Sequence, residues 1–221
     1  MASERRLWLV RHGETEGQSS IRYHGANDVP LSDLGRSQIR ALLPLLANVS
    51  FAQVVHSPLS RATESAQLLV DGLGGLGIGI RGQGIAEALP IRSDDRLREI
   101  SFGACEGLTR DEIDSAHPTF WADYEAGRLD AFPAGESRTA FASRIASAAT
   151  DLAAGDWRGD TLLVAHRGTV KHTLMALLPD TQSQPQPNPS TFAVDLASLS
   201  VLRETPNGWT LELLGMTGDF A

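Results

Sequence analysis

Two stretches decide the fold: Leu9-Val10-Arg11-His12-Gly13-Glu14-Thr15 and Leu163-Val164-Ala165-His166-Arg167-Gly168-Thr169. Each begins as a short apolar run suited to a strand buried on both faces. Each then delivers a histidine and a glycine where the strand ends. A third stretch shares the plan. Phe51 to Ser57 reads as a strand around Val54-Val55, and Ser60 to Leu73 follows as a helix. Working outward, Arg6 to Arg11 is the first strand, and Ser32 to Ala47 a helix capped by Ser32 or Asp33, with Pro44 weakening its last turn. Ser137 to Ala154 and Gly168 to Leu178 read as helices on either side of the Asp160 to His166 strand. Strands alternating with helices predict an α/β fold with a largely parallel sheet. Leu199 to Arg203 and Trp209 to Leu213 flank Asn207-Gly208, a hairpin signal. Asp111 to Gly127 reads as helices outside this rhythm, and proline-rich Gln182 to Pro189 as a surface loop.

The chain has 221 residues, 42% of them hydrophobic, which suits one folded domain spanning 1–221. No apolar run reaches the roughly 20 residues of a membrane span. The first residues lack a signal-peptide pattern, and the single cysteine, Cys105, suits a reducing compartment, so a cytoplasmic location is expected. The net charge of −8 argues against nucleic acid or an anionic membrane as partner. It leaves room for a small phosphorylated metabolite, which needs only a local cluster of cations.

The chemistry gathers at the strand ends. Ligands of open α/β sheets bind beyond the carboxyl ends of the strands, where Arg11, His12 and His166 arrive. Gly13 permits a sharp turn or a close approach. Arg61 lies in the first turn of its helix, an electrostatically poor place for a cation unless an anion binds nearby. Leu97-Arg98-Glu99-Ile100 and Cys105-Glu106-Gly107 each supply a carboxylate beside apolar neighbours, which desolvation could fit for proton donation. On these grounds Glu99 and Glu106 compete equally. His56 reads as structural. Gly72 to Gly77 and Gly77 to Gly82 both fit G-x-G-x-x-G, but they follow a helix rather than a strand, which argues against a dinucleotide site.

Arg11-His12-Gly13-Glu14-Thr15, Ser57 to Thr63, Leu97 to Gly107, Pro133-Ala134-Gly135-Glu136-Ser137 and Ala165-His166-Arg167-Gly168 occur in one order. In this the chain, from about Leu7 to Leu178, resembles the histidine phosphatase superfamily, which includes cofactor-dependent phosphoglycerate mutases and their phosphatase relatives. The resemblance implies a three-layer α/β/α sandwich with a mostly parallel central sheet, a helical lid-like insertion at about 108–135, and no metal or other cofactor. It implies His12 as nucleophile, Arg11, Arg61 and His166 around the phosphate, and Glu99 rather than Glu106 as proton donor. It also places Gln18, Arg22, His24 and Gly25 beside the substrate. Gln18 stands where the family usually has asparagine. Arg167 replaces a common glycine and is either a cationic rim contact or a solvated side chain.

The expected activity is hydrolysis of a small phosphate monoester. The family's mutases carry a longer, arginine-bearing segment before the Gly-Glu-Ser motif, whereas Ser115 to Ala134 holds only Arg128 among Lys and Arg. A mutase-type phosphotransferase is the alternative, and a non-catalytic binding member a further one. Trp121, Tyr124, Phe120 and Phe132 either line a pocket or form a satellite core. The C-terminal hairpin offers an edge strand through which a homodimer could form.

Overall fold

The computed structural model describes residues 5–75, 89–155, 157, 159–178 and 191–219. Both the proline-rich Gln182 to Pro189 stretch and most of the glycine-rich Gly72 to Gly82 stretch lie outside them. A six-stranded sheet runs in the order β3-β2-β4-β1-β5-β6. Its strands are β1 (Arg6–Arg11), β2 (Phe51–His56), β3 (Ile91–Ser93), β4 (Asp160–Ala165), β5 (Ser198–Thr205) and β6 (Gly208–Thr217). The first four are parallel, and β5 and β6 add an antiparallel edge. This is the α/β architecture that the alternation predicts.

Period-two alternation divides the core between the two faces of the sheet. Val10, Val54, Leu162 and Val164 pack on one face with Ile39, Leu42, Leu46 and Leu69. Those leucines and isoleucine come from α1 (Asp33–Arg40), the short α2 (Leu43–Leu46) and α3 (Ser60–Gly75), or the turn between α1 and α2. Leu7, Leu9, Val55, Leu163 and Ala165 face the other way, onto Ala148, Leu152, Val170 and Leu174. These belong to α6 (Arg138–Ala154) and α7 (Arg167–Leu177). Each fully buried aliphatic side chain contributes about 1.5–3 kcal/mol.

Three elements differ from the sequence reading. The single helix expected over Ser32 to Ala47 is broken after Arg40, and Pro44 opens a separate turn of helix. Proline has no N–H for the helix ladder and its ring collides with the carbonyl four residues back, here that of Arg40. The hairpin pairs Thr205 with Gly208, so its loop is Pro206-Asn207, one residue earlier than expected. β3 has three exposed residues and no apolar pattern to betray it.

The helices expected in Asp111 to Gly127 are α4 (Arg110–Ala116) and α5 (Phe120–Glu125). Thr109 and Glu112 form a reciprocal capping box that starts α4. Phe120, Phe132, Cys105 and Ile113 are buried here with Tyr23, Phe102, Trp121 and Tyr124 packed around them. The aromatic residues of this segment therefore do form a satellite core, and Tyr23 and Phe102 carry its edge into the cavity described next.

Candidate active site

Sheet register brings the strand ends together. Arg11 pairs with Ala165, and His56 with Val164. Backbone bonds extend both ladders by one residue, His12 N to Ala165 O at 3.0 Å and Ser57 N to Val164 O at 3.0 Å. His12, Ser57 and His166 thus leave three neighbouring strands at one edge of the sheet. A cavity of about 220 Å³ opens there, lined by Arg11, His12, Ser19, Ser20, Ile21, Arg22, Tyr23, His24, Glu99, Phe102, Arg110 and Arg167.

His12 is buried, and its Nδ1 lies 2.7 Å from Gly13 O. A carbonyl only accepts, so Nδ1 carries the proton, and in the neutral ring Nε2 keeps a free lone pair. Burial, then the charges of Arg61 and Arg11, hold its pKa well below the usual histidine value. A Cβ on Gly13 would strike the backbone of Gly35, so glycine is required for the exit loop to pack against α1.

His166 is fully buried, with ring centroids 5.2 Å from His12, and its Nε2 lies 2.7 Å from Ser57 Oγ. Burial, then Arg61, lowers its pKa as well. Arg11 donates from Nη1 to Val194 O at 2.9 Å, and burial, then Arg167, pushes its pKa down to about 10. Arg61 is fully buried and spends Nη1 on Asn27 O (2.8 Å) and Nη2 on His24 O (3.1 Å) and Gly25 O (2.8 Å). Its guanidinium is therefore not free to grip an anion through both terminal nitrogens. Arg11 Nε, Arg61 Nε and His166 Nδ1 are all buried without a protein partner. An unsatisfied buried polar group costs about 1–3 kcal/mol. Arg11 lies on the cavity wall, whereas Arg61 and His166 are buried behind it, His166 in ring contact with His12 and Arg61 close enough to act on its charge.

The two carboxylates separate cleanly. Glu99 lines the cavity, its Oε1 accepting from Ile100 N at 3.0 Å and its Oε2 from Gly168 N at 2.8 Å. Glu106 accepts from Gly25 N, Ala26 N and Phe102 N, each at 2.8 Å. It therefore organises the 24–27 loop whose carbonyls hold Arg61, and it is absent from the cavity wall. His56 also stays off the wall, buried with Nδ1 against Ser57 O at 2.8 Å.

The outer residues divide. Arg22 and His24 line the cavity, Arg22 donating to Gly107 O and Glu112 and His24 lying 2.6 Å from Gly17 O. Gly25 sits behind the wall as an acceptor for Arg61. Gln18 does not reach the cavity: it is an exposed turn residue at φ 61°, and Ser19 and Ser20 of the same turn line the wall instead. Arg167 is exposed to solvent and at the same time forms part of the cavity wall.

Several contributors were invisible to motif reading. Ser57 meets His166 across 109 residues. Arg144 donates to Arg96 O and Arg98 O at 2.7 Å and to Glu99 O at 3.1 Å, while Glu136 holds it through both oxygens at 2.7 Å. It clamps the segment that presents Glu99.

Residues 7–217 match the sequence pattern of the histidine phosphatase superfamily, branch 1. The chain belongs to this superfamily. It is 34% identical over 181 residues to a glucosyl-3-phosphoglycerate phosphatase of Mycolicibacterium vanbaalenii, covering 79% of this chain and 74% of that protein. It is 30% identical to an adenosylcobalamin/alpha-ribazole phosphatase of Salmonella typhimurium, covering 78% and 79%. A mycobacterial glucosyl-3-phosphoglycerate phosphatase solved in complex with VO3 superposes with a TM-score of 0.74 at 30% identity, covering 96% of this chain and 98% of that one. The fold is shared with that solved relative along nearly the whole length of both chains. Among the described residues, no helix is long and apolar enough to cross a membrane.

Proposed function

We propose that this histidine phosphatase superfamily member hydrolyses a small phosphate monoester through a phosphohistidine on His12, without a metal. The observation that carries the reading is a buried histidine with Nε2 free, beside three buried nitrogens without a protein partner, Arg11 Nε, Arg61 Nε and His166 Nδ1. These donors match the oxygens of a phosphoryl group, and burial strengthens each contact. Phosphatase activity among the relatives supports the same reading.

In the proposed reaction His12 Nε2 attacks phosphorus while Arg11, Arg61 and His166 stabilise the charge on the equatorial oxygens. The Ser57 hydroxyl donates to His166 Nε2, which leaves the proton on Nδ1 to be donated to the phosphate. Glu99 protonates the leaving oxygen. The resulting carboxylate then takes a proton from the water that cleaves the phosphorus–nitrogen bond and restores His12.

Water rather than a second substrate is the acceptor in this reading. Arg128, the one Lys or Arg from Ser115 to Ala134, is exposed and turned to Asp123 at 2.7 Å, away from the cavity wall. Hydrolysis of p-nitrophenyl phosphate with and without EDTA, beside a His12→Ala variant, tests the proposal. EDTA-resistant hydrolysis that falls at least about 1,000-fold in the variant is expected. Activity that disappears with EDTA, or survives His12→Ala, would overturn it.

A further inference from the structure

Glu106 stands off the cavity wall, yet its carboxylate ties together two segments that serve the site. We propose that Glu106 is a positioning residue for the reaction: by holding residues 25 and 26 against Phe102, it fixes the carbonyls that orient the Arg61 guanidinium. The proposal rests on the phosphatase reading and adds a residue that acts through Arg61 without touching substrate.

Arg61 leaves the first turn of α3 fully buried. Its bonds to Asn27 O, His24 O and Gly25 O occupy three of the five N–H groups of a guanidinium. Among the described residues no carboxylate pairs with it directly, so the backbone of one loop sets its pose. What remains for an anion is Nε–H and one N–H of Nη1, aimed wherever those carbonyls direct them.

Residues 24–28 lie in neither helix nor strand, so no regular ladder holds those carbonyls. One end of the loop is pinned at Tyr23, whose N–H donates to Leu108 O at 2.9 Å and whose carbonyl accepts from Gly107 N at 2.7 Å. The other end is pinned at Asp28, whose Oδ1 accepts from Ser60 N and Ser60 Oγ, both at 2.7 Å. Between these pins Glu106 Oε2 takes the N–H of Gly25, and Oε1 takes those of Ala26 and Phe102, each at 2.8 Å. A Cβ on Gly25 would strike Ile100 O, so the Gly25 peptide is seated directly on the segment that follows Glu99. A carboxylate accepts all three N–H groups with charge assistance. A glutamine amide would turn its NH2 against at least one of them, donor against donor. The pins at Tyr23 and Asp28 would keep the loop docked, while the carbonyls between them would lose their fixed direction. A misplacement of about 1 Å in a group that stabilises the transition state costs up to about 100-fold in rate.

A double-mutant cycle in the full chain tests this, with Glu106→Gln and Arg61→Gln made singly and together. The readouts are kcat/KM for p-nitrophenyl phosphate and inhibition by orthovanadate, an analogue of the phosphoryl group in transit. Glu106→Gln is expected to lower kcat/KM and weaken inhibition by orthovanadate about tenfold each. On the Arg61→Gln background the same substitution should change either readout by less than about twofold, because the group it acts through is gone. Circular dichroism and thermal melts establish that each variant is folded at the assay temperature. Where a single variant does not fold, Glu106→Asp or Arg61→Lys replaces it with the same expectation. Aspartate falls one methylene short of the three N–H groups, and lysine has no fork for the carbonyls to orient. A loss repeated in full on the Arg61 background, or no loss in Glu106→Gln, would overturn the positioning role and leave Glu106 a structural residue. Wild-type protein that neither hydrolyses the ester nor binds orthovanadate would instead defeat the phosphatase reading beneath it.

Discussion

His12 and His166 are the residues whose chemistry depends most on their surroundings. Both are buried, and both are held in the neutral form by burial and by Arg61. In the unfolded chain a histidine titrates near about 6.5. As pH falls below that value, the unfolded state takes up protons that the folded state refuses. Folding stability is therefore complete above the unfolded pKa and declines below it, by up to about 1.4 kcal/mol per pH unit for each histidine. Chemical denaturation at pH 7.5, 6.5 and 5.5 should show this slope, and a His12→Asn/His166→Asn double variant should flatten it. An equally steep slope in the double variant would contradict the assignment. Much of this was legible in the sequence, because a histidine directly after an apolar strand can only emerge at the sheet edge. The partner of His166 was not legible, since Ser57 lies 109 residues away, nor was the position of Gln18, which a left-handed turn conformation sets.

Elements position what residues perform. α7 begins at Arg167, and the N–H of Gly168 reaches Glu99 Oε2 at 2.8 Å, so the helix start holds the carboxylate. α6 supplies the second restraint through Arg144, whose guanidinium is shared between Glu136 and three carbonyls of the 96–99 segment. Arg144→Met should lower stability by about 1–3 kcal/mol by leaving those carbonyls and Glu136 without their donor. It should also lower kcat for p-nitrophenyl phosphate about tenfold with little change in KM, because the phosphate cradle is untouched while Glu99 loses its anchor. A variant that loses stability and keeps its kcat would show Arg144 to be structural only. The pairing is hidden in the sequence for a simple reason. Arg144 lies 45–48 residues from the carbonyls it holds, and nothing in an amphipathic helix pattern distinguishes it from a solvated arginine.

At the scale of the molecule, parallel register does the assembling. β1, β2 and β4 end in line, so three distant segments deliver their side chains to one cavity. Strand alternation made this layout readable in advance. The short exposed β3 and the helix break at Pro44 were less so, the first because it has no apolar pattern, the second because proline's effect depends on where the backbone can turn. The layout gathers Arg11, Arg22, Arg110 and Arg167 at one cavity in a chain of net charge −8.

Covalent transfer to His12 would leave a phosphohistidine that can be trapped during turnover. EDTA-treated protein would be mixed with a 32P-labelled phosphate monoester, quenched in alkali within milliseconds, and digested for mass spectrometry. An acid-labile, alkali-stable phosphoryl group is expected on the peptide containing His12. Turnover without any labelled histidine, or a label on another residue, would contradict it.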